Sequence, residues 1–304
     1  MPYFKHQGHP VYYELGEGAP DAPTLVMVNG LTQATRHWAP YQQTLADRGI
    51  RLLSFDLLGQ GESAKPVLGL EFEDNVAVLE SLLDHLGLER AYVAGISFGG
   101  IVALKFAIEH PERCAGLIPM STFSEMDARL RAIGGTLYQG MARVGFEYLV
   151  ELFTSYNFSA QWLERHAERI PEMRRQSSAG NQLYAIQNLM ESIARFQGFT
   201  AELARITAPT LILNGEHDAL TPRSCHEILR QHIAGARLVL LPHVAHAFTL
   251  EVPEICTRIW AEFIEAVEAG RWEGDQSVWV AAENAEAEPL LSPCSGDHTR
   301  AIPV

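Results

Sequence analysis

The chain has 304 residues, 47% hydrophobic and 20% charged, with 23 Lys+Arg against 37 Asp+Glu for a formal net charge of −14. That apolar share excludes a wholly disordered chain, and the length suits two average domains or one large α/β domain carrying an insertion. The negative charge, with no local basic patch, argues against nucleic acid or an anionic membrane surface as a partner.

The first 14 residues alternate polar and apolar side chains and lack the basic start and apolar run of a secretory signal. No run of about 18 apolar residues follows, so no membrane span is expected. Strands are predicted at 11–14 and 24–28, then a helix at 37–48, a strand at 51–55 and a helix at 72–88. A strand at 91–94, a helix at 98–109 and a strand at 115–120 continue the alternation. The helices carry apolar residues three and four apart, as in Val76, Leu79, Leu83 and Leu86. Short aliphatic strands alternating with such helices predict the α/β class: a mostly parallel twisted sheet with helices on both faces.

The alternation stops at Ser121, and residues 121–205 read as helices without strands. This segment is rich in aromatic and Met side chains, including Phe123, Tyr138, Phe153, Phe158, Trp162 and Met190. At helical spacing such residues are more often packing than ligand contacts, yet a helical insertion at a sheet edge makes a natural roof over a pocket. The alternation resumes with a strand at 210–213, a helix at 225–232, a strand at 237–241 and a helix at 253–269. Residues 1–120 and 206–270 therefore form the expected core and 121–205 a helical lid or cap. Residues 271–304 form an acidic, partly ordered tail, with Trp272, Val278 and Trp279 as its candidates for docking on the core. Cys114, Cys225, Cys256 and Cys294 lie far apart, with no CxxC pair and no zinc-type spacing, and read as free thiols of a cytoplasmic protein.

Between the strand at 91–94 and the helix opening at Phe98 stands Gly95-Ile96-Ser97-Phe98-Gly99, a GxSxG match. A serine on a tight strand-to-helix turn projects its hydroxyl above the sheet, and flanking glycines let the backbone bend. Chance alone gives roughly 0.1 such matches in a chain of this composition, so the motif needs partners. Asn214-Gly215-Glu216-His217-Asp218 follows one later strand and Pro242-His243-Val244-Ala245-His246 follows the next. Both fall at carboxyl ends of strands, where open α/β sheets hold their sites.

The order Ser97, Asp218, His246 resembles the α/β-hydrolase superfamily over about residues 10–269. Val28-Asn29-Gly30 is similar to the family's oxyanion loop, Asp56-Leu57-Leu58-Gly59-Gln60-Gly61-Glu62-Ser63 to its DxxGxGxS turn, and Glu251-Val252-Pro253-Glu254 to the ExPE start of its last helix. Two positions depart from the pattern. Asn29 stands where His-Gly is usual, which is expected to alter what lies beside the oxyanion pocket, and Ala245 precedes the histidine where Gly is usual.

The resemblance implies an acyl-enzyme. Ser97 would be the nucleophile, His246 the base that returns its proton to the leaving group, and Asp218 the group that fixes the imidazole tautomer. The backbone N–H groups of Leu31 and Phe98 would hold the tetrahedral oxyanion, the latter aided by the helix N-terminus. His243 and Glu216 compete for the base and acid roles; spacing to the ExPE segment favours His246 and family position favours Asp218. The plainer reading of His243 is a surface loop histidine, and of Glu216 a solvated charge.

Serine chemistry of this kind requires neither metal nor organic cofactor. The expected activity is hydrolysis of a carboxylic ester or thioester of a small or medium apolar acyl group, with that small-molecule substrate as partner. Nothing in the sequence sets an oligomeric state. Two other readings share the same residues. An acyltransferase would resolve the acyl-enzyme with an alcohol, because the Asn-Gly loop is similar to that of hydroxyacyl transferases of the rhamnolipid-precursor type. A binding or receptor protein on a hydrolase fold would keep the site without turnover.

Overall fold

A computed structural model describes residues 2–67 and 69–294. The strands are β1 (Tyr3–His6), β2 (His9–Leu15), β3 (Thr24–Val28), β4 (Arg51–Phe55), β5 (Ala91–Ile96), β6 (Cys114–Met120), β7 (Leu211–Gly215), β8 (Arg237–Leu241), β9 (Val278–Ala281) and β10 (Leu291–Pro293). They form one sheet in the order β1-β2-β4-β3-β5-β6-β7-β8-β9-β10. Neighbours from β4 through to β9 run parallel, while β1, β2 and β10 supply antiparallel edges.

The helices are α1 (Gln42–Ala46), α2 (Phe72–His85), α3 (Phe98–Glu109), α4 (Ala128–Val144), α5 (Phe146–Asn157), α6 (Ala160–Arg165), α7 (Ile170–Ala179), α8 (Leu183–Arg195), α9 (Arg223–His232), α10 (Phe248–Glu251) and α11 (Pro253–Glu268). Alternate residues of a strand face opposite sides of its sheet, and β3 shows the result. Val26 and Val28 join a core with side chains of α2, α3 and α9. Leu25 and Met27 join a second core with Leu45 of α1 and Trp260 of α11. Every residue of β3 and β5 is buried, which is why these strands are almost wholly apolar.

All seven predicted strands and the helices at 72–88, 98–109, 225–232 and 253–269 correspond to observed elements, with ends shifted by a few residues. The helix expected at 37–48 is different. Two 3-10 turns, Thr35–His37 and Ala39–Tyr41, precede a short α1, because Pro40 supplies no N–H for a regular helix through that point. Between β6 and β7 the chain forms five helices, α4 to α8, and no strand. After residue 270 the sequence loses periodicity, yet β9 pairs in parallel with β8 and places Val278 in the core. Trp272 packs edge-on against Phe263 at 4.7 Å, and the Arg237 guanidinium lies over the rings of both Trp272 and Trp279. The last ten residues of the expected tail, 295–304, lie outside the described residues. Among the described residues, no helix is long and apolar enough to cross a membrane.

Candidate active site

Four carboxyl-end loops of the sheet meet at one place: those after β3, β5, β7 and β8. Ser97 sits between β5 and α3 with φ 54° and ψ −118°, a strained conformation for a residue with a Cβ. The glycines around it are there for contact as much as for bending. A Cβ on Gly99 would stand 2.2 Å from Val28 O, and one on Gly95 would stand 2.2 Å from Gly99 O. The Ser97 backbone is held from both ends, since its N–H donates to Met120 O at 2.9 Å and its carbonyl accepts the Thr122 hydroxyl at 2.8 Å.

Asp218 lies three residues beyond β7 and His246 five beyond β8. Their side chains are buried and meet directly, with His246 Nδ1 at 2.9 Å from Asp218 Oδ2 and 3.1 Å from Oδ1. Burial by itself would raise the Asp218 carboxyl, but His246 beside it and the donors of Thr221 prevail and hold it below the usual carboxylate range. Thr221 donates its N–H to Oδ1 and its hydroxyl to Oδ2, and that hydroxyl also lies 3.2 Å from His246 Nδ1. Ser121, with φ 43°, donates its hydroxyl to His246 O at 2.8 Å.

Ser97 and His246 line one cavity of about 280 Å³, whose wall joins the polar groups of Gln33, Arg36, His37, Arg174 and Gln176 to the apolar side chains of Phe153, Ile170, Met173 and Leu250. Ser97 and Leu31 also line a second, larger cavity of about 820 Å³. Its other walls are mostly apolar: Phe98 and Ile101 of α3, Phe123, Met126, Leu137, Tyr138, Tyr148 and Phe153, and Met190 of α8. The segment 121–205 thus contributes most of the larger wall. Only some of its aromatics face the cavity; Phe158 and Trp162 stack on each other at 4.0 Å and border the smaller one.

The oxyanion donors expected from the sequence are the backbone N–H groups of Leu31 and Phe98. Phe98 opens α3, so its N–H has no partner within the helix. Among the described residues neither N–H donates a hydrogen bond, and both residues border the larger cavity beside Ser97. The Leu31 loop is braced by Gln33, whose Oε1 accepts Gly30 N–H at 2.8 Å, and by Gln60, whose Nε2 donates to Gly30 O at 2.9 Å.

The expectation that Asn29 alters the surroundings of the oxyanion pocket is corrected by the structure. Asn29 is fully buried and turned away from both cavities. Its Nδ2 donates to Phe55 O at 3.0 Å and Asp56 Oδ1 at 3.3 Å, and its Oδ1 accepts Trp38 Nε1 at 2.6 Å. Asp56 in turn accepts the N–H groups of Thr35 and Glu62, each at 2.7 Å. Burial raises its carboxyl despite those donors. Asn29 is therefore a tie between the end of β3 and the 56–63 turn, because a buried amide without partners would be costly.

His243 is exposed, with φ 61°, and does not border the cavity that His246 lines. Its N–H donates to Glu216 Oε2 at 2.9 Å, so the two competing candidates lie against each other on the outer side of the loops.

Two residues of the site were not anticipated. Thr221 had a signal, since Asp-x-x-Thr before a helix suits a carboxylate that accepts N–H groups two and three residues on. His226 had none. It is fully buried on α9, where its Nε2 accepts Thr122 N–H at 3.0 Å and its Nδ1 lies 3.2 Å from Pro222 O. Burial pushes its pKa down to about 4, so it stays neutral while bracing the segment that holds Ser97.

Comparison with known proteins bears on family and fold. A family model described as alpha/beta hydrolase fold matches residues 23–253. A protein of Stutzerimonas stutzeri named "putative carbamate hydrolase RutD" is 32% identical over 251 residues, covering 80% of this chain and 92% of its own. Among solved structures, an alpha/beta hydrolase enzyme from a Medee basin deep-sea metagenome library superposes with TM-score 0.80 at 27% identity, covering 86% of this chain and 97% of its own. The enol-lactonase from Burkholderia xenovorans LB400 superposes with TM-score 0.79 at 25% identity, covering 87% and 100%.

Proposed function

Because this chain belongs to the alpha/beta hydrolase fold family, we propose that it is a serine hydrolase that cleaves a carboxylic ester or thioester of a small or medium apolar acyl group. The observation that carries this reading is the junction at Ser97 of two cavities, one of about 820 Å³ and mostly apolar, the other of about 280 Å³ and lined by apolar side chains together with the polar groups of Gln33, Arg36, His37 and Arg174. An acyl chain suits the first and the alcohol or thiol leaving group the second.

In the reaction, Ser97 Oγ attacks the carbonyl carbon while His246 Nε2 takes its proton. Nδ1 remains bonded to Asp218, which stabilises the imidazolium. The carbonyl oxygen gains charge as the tetrahedral intermediate forms, and the free N–H groups of Leu31 and Phe98 are the donors to receive it. Collapse of the intermediate expels the leaving group, which takes the proton from His246. Water then enters and attacks the acyl carbonyl as His246 takes its proton, and the second intermediate collapses to the free acid as His246 returns that proton to Ser97 Oγ. The helical segment 121–205 acts as the lid that sets substrate size.

The relatives named as carbamate hydrolases favour a second reading, in which the scissile carbonyl bears nitrogen and the intermediate is a carbamoyl-Ser97. The size and apolar walls of the larger cavity favour an acyl group over so small a fragment. Turnover of p-nitrophenyl esters of graded chain length beside a carbamate, with Ser97→Ala as control, separates the two. A medium-chain ester should be preferred; preference for the carbamate would overturn the ester reading. An acyltransferase is tested by giving the acyl-enzyme water and a hydroxyacyl thioester together. Free acid is expected as the main product, and mostly acyloxyacyl product would reverse the assignment.

A further inference from the structure

We propose that Glu216, His217 and His243 form a binding site for a divalent transition-metal ion of the zinc type, outside the cavities that Ser97 lines. The three residues come from two different loops, and one donor atom from each lies within 4.8 Å of the others. Glu216 Oε2 is 3.7 Å from His217 Nε2 and 3.6 Å from His243 Nδ1. Those separations are too long for hydrogen bonds. They are close to the roughly 3.3 Å edge of a tetrahedron whose centre is about 2.0–2.1 Å from each nitrogen and oxygen ligand.

The backbone already holds the two loops in register. Glu216 N–H donates to Leu241 O at 2.9 Å, His217 N–H to Val244 O at 2.8 Å, and His243 N–H to Glu216 Oε2 at 2.9 Å. A carboxylate has about four lone-pair sites, so the last bond leaves Glu216 able to ligate. Only the two exposed imidazoles need rotate to close the third edge. The second nitrogen of His243 also has a partner, Glu283 Oε1, at 3.4 Å from Nε2. A metal-bound histidine commonly donates its other N–H to a carboxylate, which fixes the tautomer with Nδ1 free to ligate.

Two imidazoles and one carboxylate select the ion. Imidazole suits zinc, copper and nickel, whereas magnesium and calcium require a shell of oxygens. The fourth position faces solvent and would take water. Since Glu216 and His217 directly precede Asp218, and His243 stands three residues before His246, the ion would clip the loop carrying Asp218 to the loop carrying His246. The proposal does not depend on the substrate, and its test does not read turnover.

Isothermal titration of the full chain, stripped of metal with a chelator, should show one equivalent of Zn²⁺ bound at this site. Magnesium should not displace it. His217→Ala and His243→Ala should each weaken binding at least about tenfold, and Glu283→Gln by about ten- to a hundredfold. The double variant H217A/H243A should lose the site, and zinc should raise the Tm of the wild type but not of that variant. Both histidines are exposed, and circular dichroism checks that the variants fold. Zinc bound equally by the wild type and the double variant, or not bound by the wild type, would overturn the proposal.

Discussion

Thr221 holds both oxygens of the buried Asp218 carboxylate, donating its N–H to Oδ1 at 2.8 Å and its hydroxyl to Oδ2 at 2.7 Å. That clamp leaves the carboxylate no freedom to turn from His246, so Thr221 is a positioning residue. Thr221→Val keeps the N–H bond and removes the hydroxyl. A lost hydrogen bond to a charged group is worth about 1.5–3 kcal/mol, so kcat/KM should fall by about ten- to a hundredfold. Thr221→Ser should restore it; a Ser variant as poor as Val would show that the methyl packing matters rather than the hydroxyl.

The roles assigned to Ser97, His246 and Asp218 are tested as a unit. Ser97→Ala, His246→Ala and Asp218→Asn should each lower ester turnover by several orders of magnitude, and pairs of them should cost little more than the worst single change. His243→Ala should be mild, because His243 lies outside the cavity lined by Ser97. Peptide mapping by tandem mass spectrometry after a fluorophosphonate probe should place the label on Ser97, and Ser97→Ala should take up none. Labelling elsewhere, or strong loss from His243→Ala with little from His246→Ala, would reassign the site.

Gly134 and Gly135 stand in the middle of α4, where a glycine costs about 0.5–1 kcal/mol relative to Ala, and both line the larger cavity. A Cβ on Gly135 would meet nothing within 4 Å. Gly135→Ala should therefore raise the unfolding free energy by about 0.5–1 kcal/mol in a urea titration. Gly135→Leu should extend into the acyl space. Its kcat/KM for long-chain p-nitrophenyl esters should drop about tenfold or more while acetate ester turnover stays near wild type. Equal loss on both would mean that the residue affects Ser97 rather than chain length.

His226 gives the stability curve a definite acid limb. Its folded pKa of about 4 lies below the ordinary 6.5, so between those values the unfolded chain binds a proton that the native chain does not. Stability must then fall as pH drops from about 6.5 to 4, by up to about 3 kcal/mol. His226→Gln, even if less stable throughout, should flatten that limb when unfolding is followed at several pH values. An unchanged slope would assign the acid limb to other groups.

The fold was legible because its signals are local. Strands buried on both faces are almost wholly apolar, as β3 and β5 are, and the helices that cover them repeat every three to four residues, as α2 does. The GxSxG turn could be located because the close approach of Gly95 to Gly99 and of Gly99 to Val28 leaves no room for a Cβ at either position. The loops bearing Asp218 and His246 could be found for a related reason: they follow strands whose pattern is plain.

Tertiary structure decided the rest, where a residue's role depends on what lies opposite it. β9 was invisible because four residues carry too little periodicity; pairing with β8 on one side and β10 on the other, and the contact of Trp272 with Phe263, give that segment its place. Asn29 could not be oriented from sequence, since an amide beside a glycine can face a cavity or the core, and only the arrival of Trp38, Phe55 and Asp56 turned it inward. His226 carries no signal in the sequence, and only the packing of α9 against the segment after β6 buries it against Thr122. The same is true of the larger cavity. Phe123, Tyr138, Tyr148 and Phe153 have the composition of any helical core, and the packing of α4, α5 and α8 over Ser97 is what makes them walls of a cavity. Local physics, one backbone conformation and one burial pattern at a time, is written in the sequence; contacts between segments a hundred residues apart exist only once the sheet has brought them together.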